Sequence, residues 1–387
     1  MRKTGITDLP LHYGYLPTWL YERMSKLGRY IIEALVSIYG KKEVLRRLSD
    51  PLWFQSLGCV MGMDWHSSGI TTSVIGALKT GLKSIEKEIG IYICGGRGKY
   101  SRNTPSELYH ISDKLSLDGD KLVTTSRLTA KIDNTAIQDG FSLYLHSFIL
   151  SDEGDWAVIQ QGMNSEIKQA RRYHWLSSEV KNFDEEPHTG VVGENRGKIL
   201  NLTHKEATPT KNAILALSKE NPDKMLSEIK KISMPERHNV KREDINLKRL
   251  GAVLATAYNE DVKDFCSFLL INGVGPRTIQ SLVLVSEVIF GTPSRFSDPA
   301  RYSFAHGGKD GHPFPVPLKT YDETINILKN AIEKSKIENS EKLMAIKRLY
   351  NTYRNIEKYF SPIADFDKTI EKEKNESHKY GGKTVFD

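Results

Sequence analysis

An acidic residue and a histidine stand close together early in the chain, in the run Gly-Met-Asp64-Trp-His66-Ser-Ser-Gly. We predict a strand at 59–63, just before this run, and a helix at 70–82, just after it. Polar groups between a strand end and a helix start lie where open α/β sheets bind ligands. We therefore expect Asp64 to bind a divalent metal and His66 to act as a metal ligand or a general acid or base. Capping of the helix by these polar residues is the alternative.

Two further carboxylates and a histidine have side chains suited to the same metal binding and proton transfer. Asp133 lies on a predicted helix at 121–137, Asp139 follows its end, and His146 lies on the next predicted strand. Many metal-dependent nucleases build a site from carboxylates and a histidine beside a small sheet. A solvated helix face would explain Asp133 equally well. The predicted catalytic residues are Asp64, His66, Asp133, Asp139 and His146, and the predicted ligands of Mg²⁺ or Mn²⁺ are Asp64, Asp133 and Asp139.

A glycine-rich basic run, Gly-Gly-Arg97-Gly-Lys99-Tyr-Ser-Arg102, follows a predicted strand at 89–93. Glycines with three cations suit a loop that holds phosphate, although the spacing is not that of a Walker A loop. We expect Arg97, Lys99 and Arg102 to contact phosphates. A flexible basic turn is the alternative.

A second basic run, Arg171-Arg172-Tyr-His-Trp, alternates cations with aromatic rings, which suits phosphate contact and stacking. We predict a helix over 164–183 and expect both arginines to bind DNA, with a plain surface helix as the alternative. Two glutamines, Gln160 and Gln161, interrupt an otherwise apolar strand just before this run. Buried glutamines need hydrogen-bond partners, and such a pair would be placed to face a ligand.

The most specific pattern is Ile-Asn-Gly-Val-Gly-Pro-Arg-Thr at 271–278, between predicted helices at 262–271 and 277–290. Two short helices joined by a Gly-x-Gly turn are typical of a helix-hairpin-helix, which binds the DNA backbone without reading sequence. Glycines let the main chain approach a ligand closely, and the second helix presents free N–H groups to a phosphate. A plain helical hairpin is the alternative. The predicted DNA-binding residues of this turn are Gly273, Val274, Gly275, Arg277 and Thr278.

An aspartate, Asp298, follows this turn and raises a further possibility, because helix-hairpin-helix DNA glycosylases carry an essential aspartate after their hairpin. Here the spacing from Gly275 is larger than in that family. Arg277 stands where such enzymes place a lysine, and it cannot form a Schiff base because it stays protonated. We favour a loop that supports the hairpin over a glycosylase site.

The overall composition agrees with a globular protein that binds a polyanionic partner. The 387 residues carry a net charge of +7 and a sequence pI near 9.0. The three cysteines are widely spaced, which argues against a zinc ribbon or a disulfide framework. We see neither a signal peptide nor an apolar run of membrane-spanning length, so we expect a cytoplasmic protein without a membrane partner.

The predicted helices and strands that carry these residues indicate an α+β protein. Apolar alternation and helical periodicity indicate an N-terminal α/β domain with a small mixed sheet at 1–210. Strands at 143–150 and 156–161 flank an Asp-Glu-Gly-Asp turn and form a hairpin. An all-helical domain with the Gly-x-Gly turn follows at 211–360. A charged tail at 361–387 is predicted to be flexible.

Several long segments together resemble one family, the prokaryotic and largely archaeal family known as domain of unknown function 763. They are the opening Leu-Pro-Leu-His-Tyr-Gly, Asp-Trp-His-Ser-Ser-Gly, Gln-Gln-Gly-Met-Asn, Ala-Arg-Arg-Tyr-His-Trp-Leu and the run from Asp298 through His-Gly-Gly-Lys-Asp-Gly-His-Pro. The resemblance covers roughly residues 4–350. It implies a cytoplasmic prokaryotic protein, and it transfers no catalytic residues.

Our leading hypothesis is a DNA-binding protein of repair or recombination that acts as a metal-dependent nuclease on DNA structure rather than sequence. It would hold duplex or branched DNA through backbone contacts, as a homo-oligomer or with a repair-protein partner. The first alternative is a non-enzymatic DNA-binding adaptor, and the second is a glycosylase-like enzyme centred on Asp298.

Overall fold

The computed structural model describes residues 9–10, 16, 18–63, 68–231, 247–260, 262–300, 318–335 and 339–359. Two of the predicted catalytic residues, Asp64 and His66, and the predicted tail at 361–387 lie outside these ranges. None of the helices in the described ranges is long and apolar enough to cross a membrane.

Five helices open the described chain: α1 Thr18–Tyr39, α2 Lys41–Ser49, α3 Pro51–Val60, α4 Ser68–Leu82 and α5 Glu86–Ile89. The side chain of Asp50 accepts hydrogen bonds from Leu52 N and Trp53 N and so starts α3, with Pro51 in its first turn. The predicted strand at 59–63 is therefore wrong, because its first residues end α3. Nearly every residue of α3 is buried, and a short apolar run of that kind does not distinguish a buried helix from a strand.

A central antiparallel sheet follows, built from β1 Leu9–Pro10, β2 Ile91–Arg97, β4 Ser142–Ser151, β5 Trp156–Asn164, β6 Gln169–Leu176 and β7 Gly190–Val192. Its strand order is β1-β6-β5-β4-β2, with β7 also paired to β6. The predicted hairpin of β4 and β5 is confirmed. The predicted helix over 164–183 is wrong, because β6 lies inside it. Strand β6 is buried on both faces and so lacks the alternation of polar and apolar residues that marks a strand.

In each strand of the central sheet, adjacent side chains project to opposite faces. Gln160 lies between His146 and Tyr173 on one face, whereas Gln161 lies between Leu145 and Arg172 on the other. Each face of the sheet therefore carries a column of polar side chains into the interior.

The remaining elements connect and cover this sheet. They are α6 Lys99–Arg102, α7 Thr104–Leu115, α8 Gly119–Lys131, a π-helical turn Ile132–Ala136, a 3₁₀ turn Lys205–Ala207, α9 Thr208–Lys219, α10 Pro222–Lys231, α11 Leu247–Asn259, α12 Phe265–Leu270, α13 Pro276–Phe290, α14 Leu318–Lys334 and α15 Asn339–Tyr359. A second small sheet has the order β3-β8-β9, formed by β3 Ile137–Gln138, β8 Lys198–Asn201 and β9 Phe296–Ser297.

Two hydrophobic cores lie on the two faces of the central sheet. One contains Phe148 and Val158 and joins α7 and α8 to α9–α13. The other contains Ile149 and Ile159 and joins α1–α4 to α14 and α15. The predicted α+β class is confirmed, and the described strand pairs are all antiparallel rather than mixed. Both cores combine residues from either side of position 210.

Candidate functional site

Asp133 lies at the centre of a buried hydrogen-bond network on the first face of the central sheet. The π-helical turn that follows α8 carries it toward the strands. Its carboxylate accepts hydrogen bonds from Gln160 Nε2 at 2.6 Å, Trp175 Nε1 at 3.0 Å and His188 Nε2 at 2.5 Å. Burial raises the pKa of Asp133, and the nearby His188 opposes that rise. The donors that surround the carboxylate come from this protein's own side chains.

His146 extends this network toward α8. The amide of Gln160 donates to Asp133, so its Oε1 accepts from His146 Nδ1 at 2.8 Å. His146 Nε2 is then the acceptor for the Ser126 hydroxyl at 2.8 Å. Burial lowers the pKa of His146 to about 4, which keeps the ring neutral near pH 7. A serine beside a neutral histidine has the chemistry of a nucleophile and its base, but Ser126 is 3% and His146 6% exposed, so neither reaches solvent.

Asp139 belongs to a second buried network, which is built around Arg171. The guanidinium donates to Asp139 Oδ2 at 3.0 Å and to both carboxylate oxygens of Asp298 at 2.9 Å. The Tyr173 hydroxyl also donates to Asp139, at 2.6 Å. Burial disfavours the charge of Arg171, but the two carboxylates outweigh burial and raise its pKa. Burial raises the pKa of Asp139. Arg171, predicted to contact phosphate, and Asp298, on which the glycosylase alternative is centred, therefore neutralise each other inside the protein.

Arg172 points to the opposite face of the sheet. Its guanidinium lies over the Phe54 ring at 4.8 Å, donates to His174 Nε2 at 2.8 Å and donates to Thr71 Oγ1 at 3.2 Å. Burial lowers the pKa of Arg172 to about 9. Thr71 in turn donates to the amide oxygen of Gln161. Sequence reasoning missed Thr71 and His174 as partners, because it assigned Arg172 to a surface helix.

This second polar column reaches the start of α4. Gln161 Nε2 donates to Ser68 O at 3.0 Å and also to the Tyr144 hydroxyl. Ser68 is the first described residue after positions 64–67. Recognition of β6 as a strand would have revealed that Gln160 and Gln161 face different sets of partners.

The predicted phosphate-binding residues Arg97, Lys99 and Arg102 are all exposed, at the end of β2 and on α6. The Arg97 guanidinium lies over the Tyr144 ring, with 6.0 Å from the guanidinium carbon to the ring centroid. These three cations are exposed to solvent, whereas Arg171 and Arg172 are buried.

The Gly273–Gly275 turn joins α12 to α13, and its carbonyls accept hydrogen bonds from side chains. Gly273 has φ +92°, a conformation that favours glycine, and Gly275 is the extended N-cap of α13. Four side chains donate to the carbonyls of the turn and of the first helical residue, and one of them is Thr278, whose Oγ1 donates to Gly273 O at 3.4 Å. Lys131 donates to Val274 O, Arg249 Nε donates to Gly273 O at 3.3 Å and Gln138 Nε2 donates to Pro276 O at 2.8 Å. These hydrogen bonds fix the main chain of the turn at the start of α13.

A pocket of about 350 Å³ opens at this helix start. Its lining residues are Arg249, Leu250, Gly275, Pro276, Arg277, Thr278 and Ser281. Burial, and next the charge of Arg249, lowers the pKa of Lys131 beside the turn. The helix N-terminus, Arg249, Arg277 and Lys131 all favour an anion at this place. Lys131 and Arg249 were not predicted as part of the site, because they come from α8 and α11.

The described residues divide the predicted site into separate groups. Gly273, Val274, Gly275, Arg277 and Thr278 come together at the pocket and the turn behind it. Asp133 and His146 share one buried network, and Asp139 belongs to another. Within the described ranges, no group of three or more histidines, cysteines, aspartates or glutamates is arranged to hold a metal ion. The predicted Mg²⁺ or Mn²⁺ site, which needs Asp64, stays a prediction.

Comparison with known proteins assigns the chain to a family. The family model described as protein of unknown function (DUF763) matches residues 5–316, and the chain belongs to that family. Neither a curated protein nor a solved structure matches it.

Proposed function

We propose that this protein binds DNA through its backbone phosphates, at the pocket formed by the Gly273–Gly275 turn and the first turn of α13. The observation that carries the proposal is the convergence of Arg249 and Arg277 on the N-terminus of a 15-residue helix. The first N–H groups of a helix have no partner within the helix, and its dipole adds partial positive charge there. A phosphate group satisfies both features.

The contacts behind the turn support the same interpretation as a helix-hairpin-helix. Lys131 and Gln138 donate to the carbonyls of Val274 and Pro276 and so fix the main chain at the start of α13. The carbonyls of Val274 and Pro276 thus have donors from within the protein, and the first N–H groups of α13 remain for a phosphate. A main-chain cradle of this kind positions a backbone and carries no base-reading side chains, so binding should show little sequence preference.

Fluorescence anisotropy with labelled duplex DNA over a series of salt concentrations tests the proposal. Arg277→Gln removes one exposed cation of the pocket, and it should weaken binding and reduce the salt slope by about 1. Lys87→Gln is the matched control, because Lys87 is an exposed cation on α5, just before the first residue of β2. Absence of duplex binding by the wild-type protein at low salt, or equal behaviour of the two variants, would overturn the proposal.

A further inference from the structure

The segment from Gly95 to Arg102, which we call the basic loop, has a firmly anchored main chain. Gly95 N donates to Glu107 Oε2 at 2.7 Å, and Lys79 Nζ donates to Gly95 O at 2.8 Å. Gly98 N donates to Tyr144 O at 2.8 Å. A Cβ at Gly95 would lie 2.3 Å from His146 O, and its φ of +82° also favours glycine. The loop is therefore held in one place by contacts that its side chains do not make.

The side chains of the basic loop contribute little to the fold. No residue of α6 is buried, and Tyr100 is 53% exposed. Glu107, the carboxylate that anchors the loop, is already paired with Lys79 at 2.8 Å. Across the part of the chain that the structure describes, no carboxylate forms an ion pair with Arg97, Lys99 or Arg102. The loop thus presents three cations without ion-pair partners among the described residues, together with one exposed aromatic ring, and Lys99 Nζ lies 5.5 Å from the centroid of that ring.

The basic loop lies at the same end of the central sheet as the pocket. Arg97 pairs with Leu145 near the start of β4. Gln138, which holds Pro276 beside the pocket, comes shortly before that same strand start. Helices α7 and α8 are joined by residues 116–118 alone and therefore run antiparallel, which brings the end of α8, at Lys131, toward the start of α7. Both surfaces can contact one nucleic acid.

We propose that the basic loop binds single-stranded DNA, with a base stacked on Tyr100 and phosphates on Arg97 and Arg102. An anchored loop that carries both cations and an exposed ring matches the requirements of a single strand, whose bases are free to stack and whose backbone is charged. Combined with duplex binding at the pocket, which rests on the proposed function, it makes a duplex with a single-stranded extension the preferred substrate.

Fluorescence anisotropy with three labelled DNAs tests this inference: a blunt duplex, the same duplex with a single-stranded extension, and the extension alone. For the wild-type protein, the extension should tighten binding about tenfold, the size of one stacked base. Tyr100→Ala should remove that gain, whereas Tyr100→Phe should retain it. Tyr109→Ala is the matched control, because Tyr109 is 45% exposed on α7 and its hydroxyl donates to Asp120.

The outcomes separate this inference from the proposed function. Gly275→Ala, which alters the pocket and leaves the basic loop unchanged, should weaken binding to the blunt and the extended duplex by the same factor. Wild-type binding to the single strand but not to the duplex would overturn the proposed function and support the basic loop. An extension that adds no affinity, or a Tyr100→Ala variant that behaves like Tyr109→Ala, would overturn the inference.

Discussion

The guanidinium of Arg171 and the carboxylate of Asp298 form a two-bond ion pair with both N–O distances at 2.9 Å and neither side chain exposed to solvent. The two residues are 127 positions apart. Backbone N–H groups of Arg196 and Ala300 complete the shell around Asp298, at 2.8 and 2.9 Å. The pair fastens the segment that carries β9 to the central sheet.

We expect Asp298→Asn to lower the free energy of unfolding by about 3 kcal/mol, because loss of one partner leaves a buried charge less compensated. Urea unfolding followed by circular dichroism measures this change. Asp113→Asn, at an exposed position on α7, serves as the control and should leave stability unchanged. A variant of wild-type stability that loses release of a free base from damaged DNA would instead support the glycosylase alternative.

The network around Asp133 gives a second prediction. Its carboxylate already accepts from Gln160, Trp175 and His188, so Asp133→Asn should also lower stability by about 3 kcal/mol. Because the Asp133 carboxylate has these internal donors, any rise in melting temperature that Mg²⁺ or Mn²⁺ gives the wild-type protein should be retained in Asp133→Asn. A metal-dependent rise that Asp133→Asn and Asp64→Asn both abolish, together with cleavage of branched DNA, would establish the nuclease that the sequence predicts.

Acid sensitivity follows from His146. Its pKa is about 4 in the folded protein against an ordinary value of 6.5. Between these two values the unfolded chain binds more protons, so stability is present above pH 6.5 and is lost as the pH falls toward 4. We expect this group to cost about 2 kcal/mol between pH 7 and pH 5.

Urea unfolding at both pH values, on the wild type and on His146→Gln, isolates this contribution. Glutamine keeps donor and acceptor groups for Ser126 and Gln160 but does not titrate. The opposite contributions of Asp133 and Asp139, whose pKa values are raised, are common to both proteins. Equal acid losses in the two proteins would contradict the assignment.

The two glycines of the turn should respond differently to alanine. Gly273 has φ +92°, and its Cβ would lie 3.2 Å from Val253 Cγ2, so Gly273→Ala should cost about 1–2 kcal/mol of stability. Gly275 is extended, and its Cβ would meet only Arg249 Nη2 at 4.0 Å. Gly275→Ala should cost about 0.5 kcal/mol, as a poorer N-cap, and should weaken DNA binding because the methyl group obstructs the pocket.

Thermal melts and duplex anisotropy on the two variants check this prediction. Loss of stability in Gly275→Ala as large as in Gly273→Ala would mean that the position serves the fold. Unchanged DNA affinity in a stable Gly275→Ala protein would argue against a phosphate at this helix start.

Local patterns were sufficient for the elements whose residues interact with near neighbours in the chain. The Asp-Glu-Gly-Asp turn between alternating strands predicted the β4–β5 hairpin, and the Gly-Val-Gly-Pro run predicted the junction of α12 and α13. Turn glycines and an early helical proline act within a few residues, so their effect is visible in the sequence. The basic character of the Gly95 run was also visible, because it depends on residue types alone.

The roles of Arg171, Arg172, Gln160 and Gln161 depended on the tertiary structure. The neighbours of the two arginines along the chain indicated a basic and aromatic surface, and those of the two glutamines indicated a pair that faces a ligand. The sheet buries all four and gives each a distant partner. Whether a polar side chain faces a ligand or an internal partner is a matter of which elements pack over it, and those elements are remote in sequence. Composition and local spacing thus established an α+β protein with a Gly-x-Gly turn. Long-range packing decided which polar residues face solvent, as Arg277 and Arg97 do. It also decided which are buried with internal partners, as Asp133, Asp139 and Arg171 are.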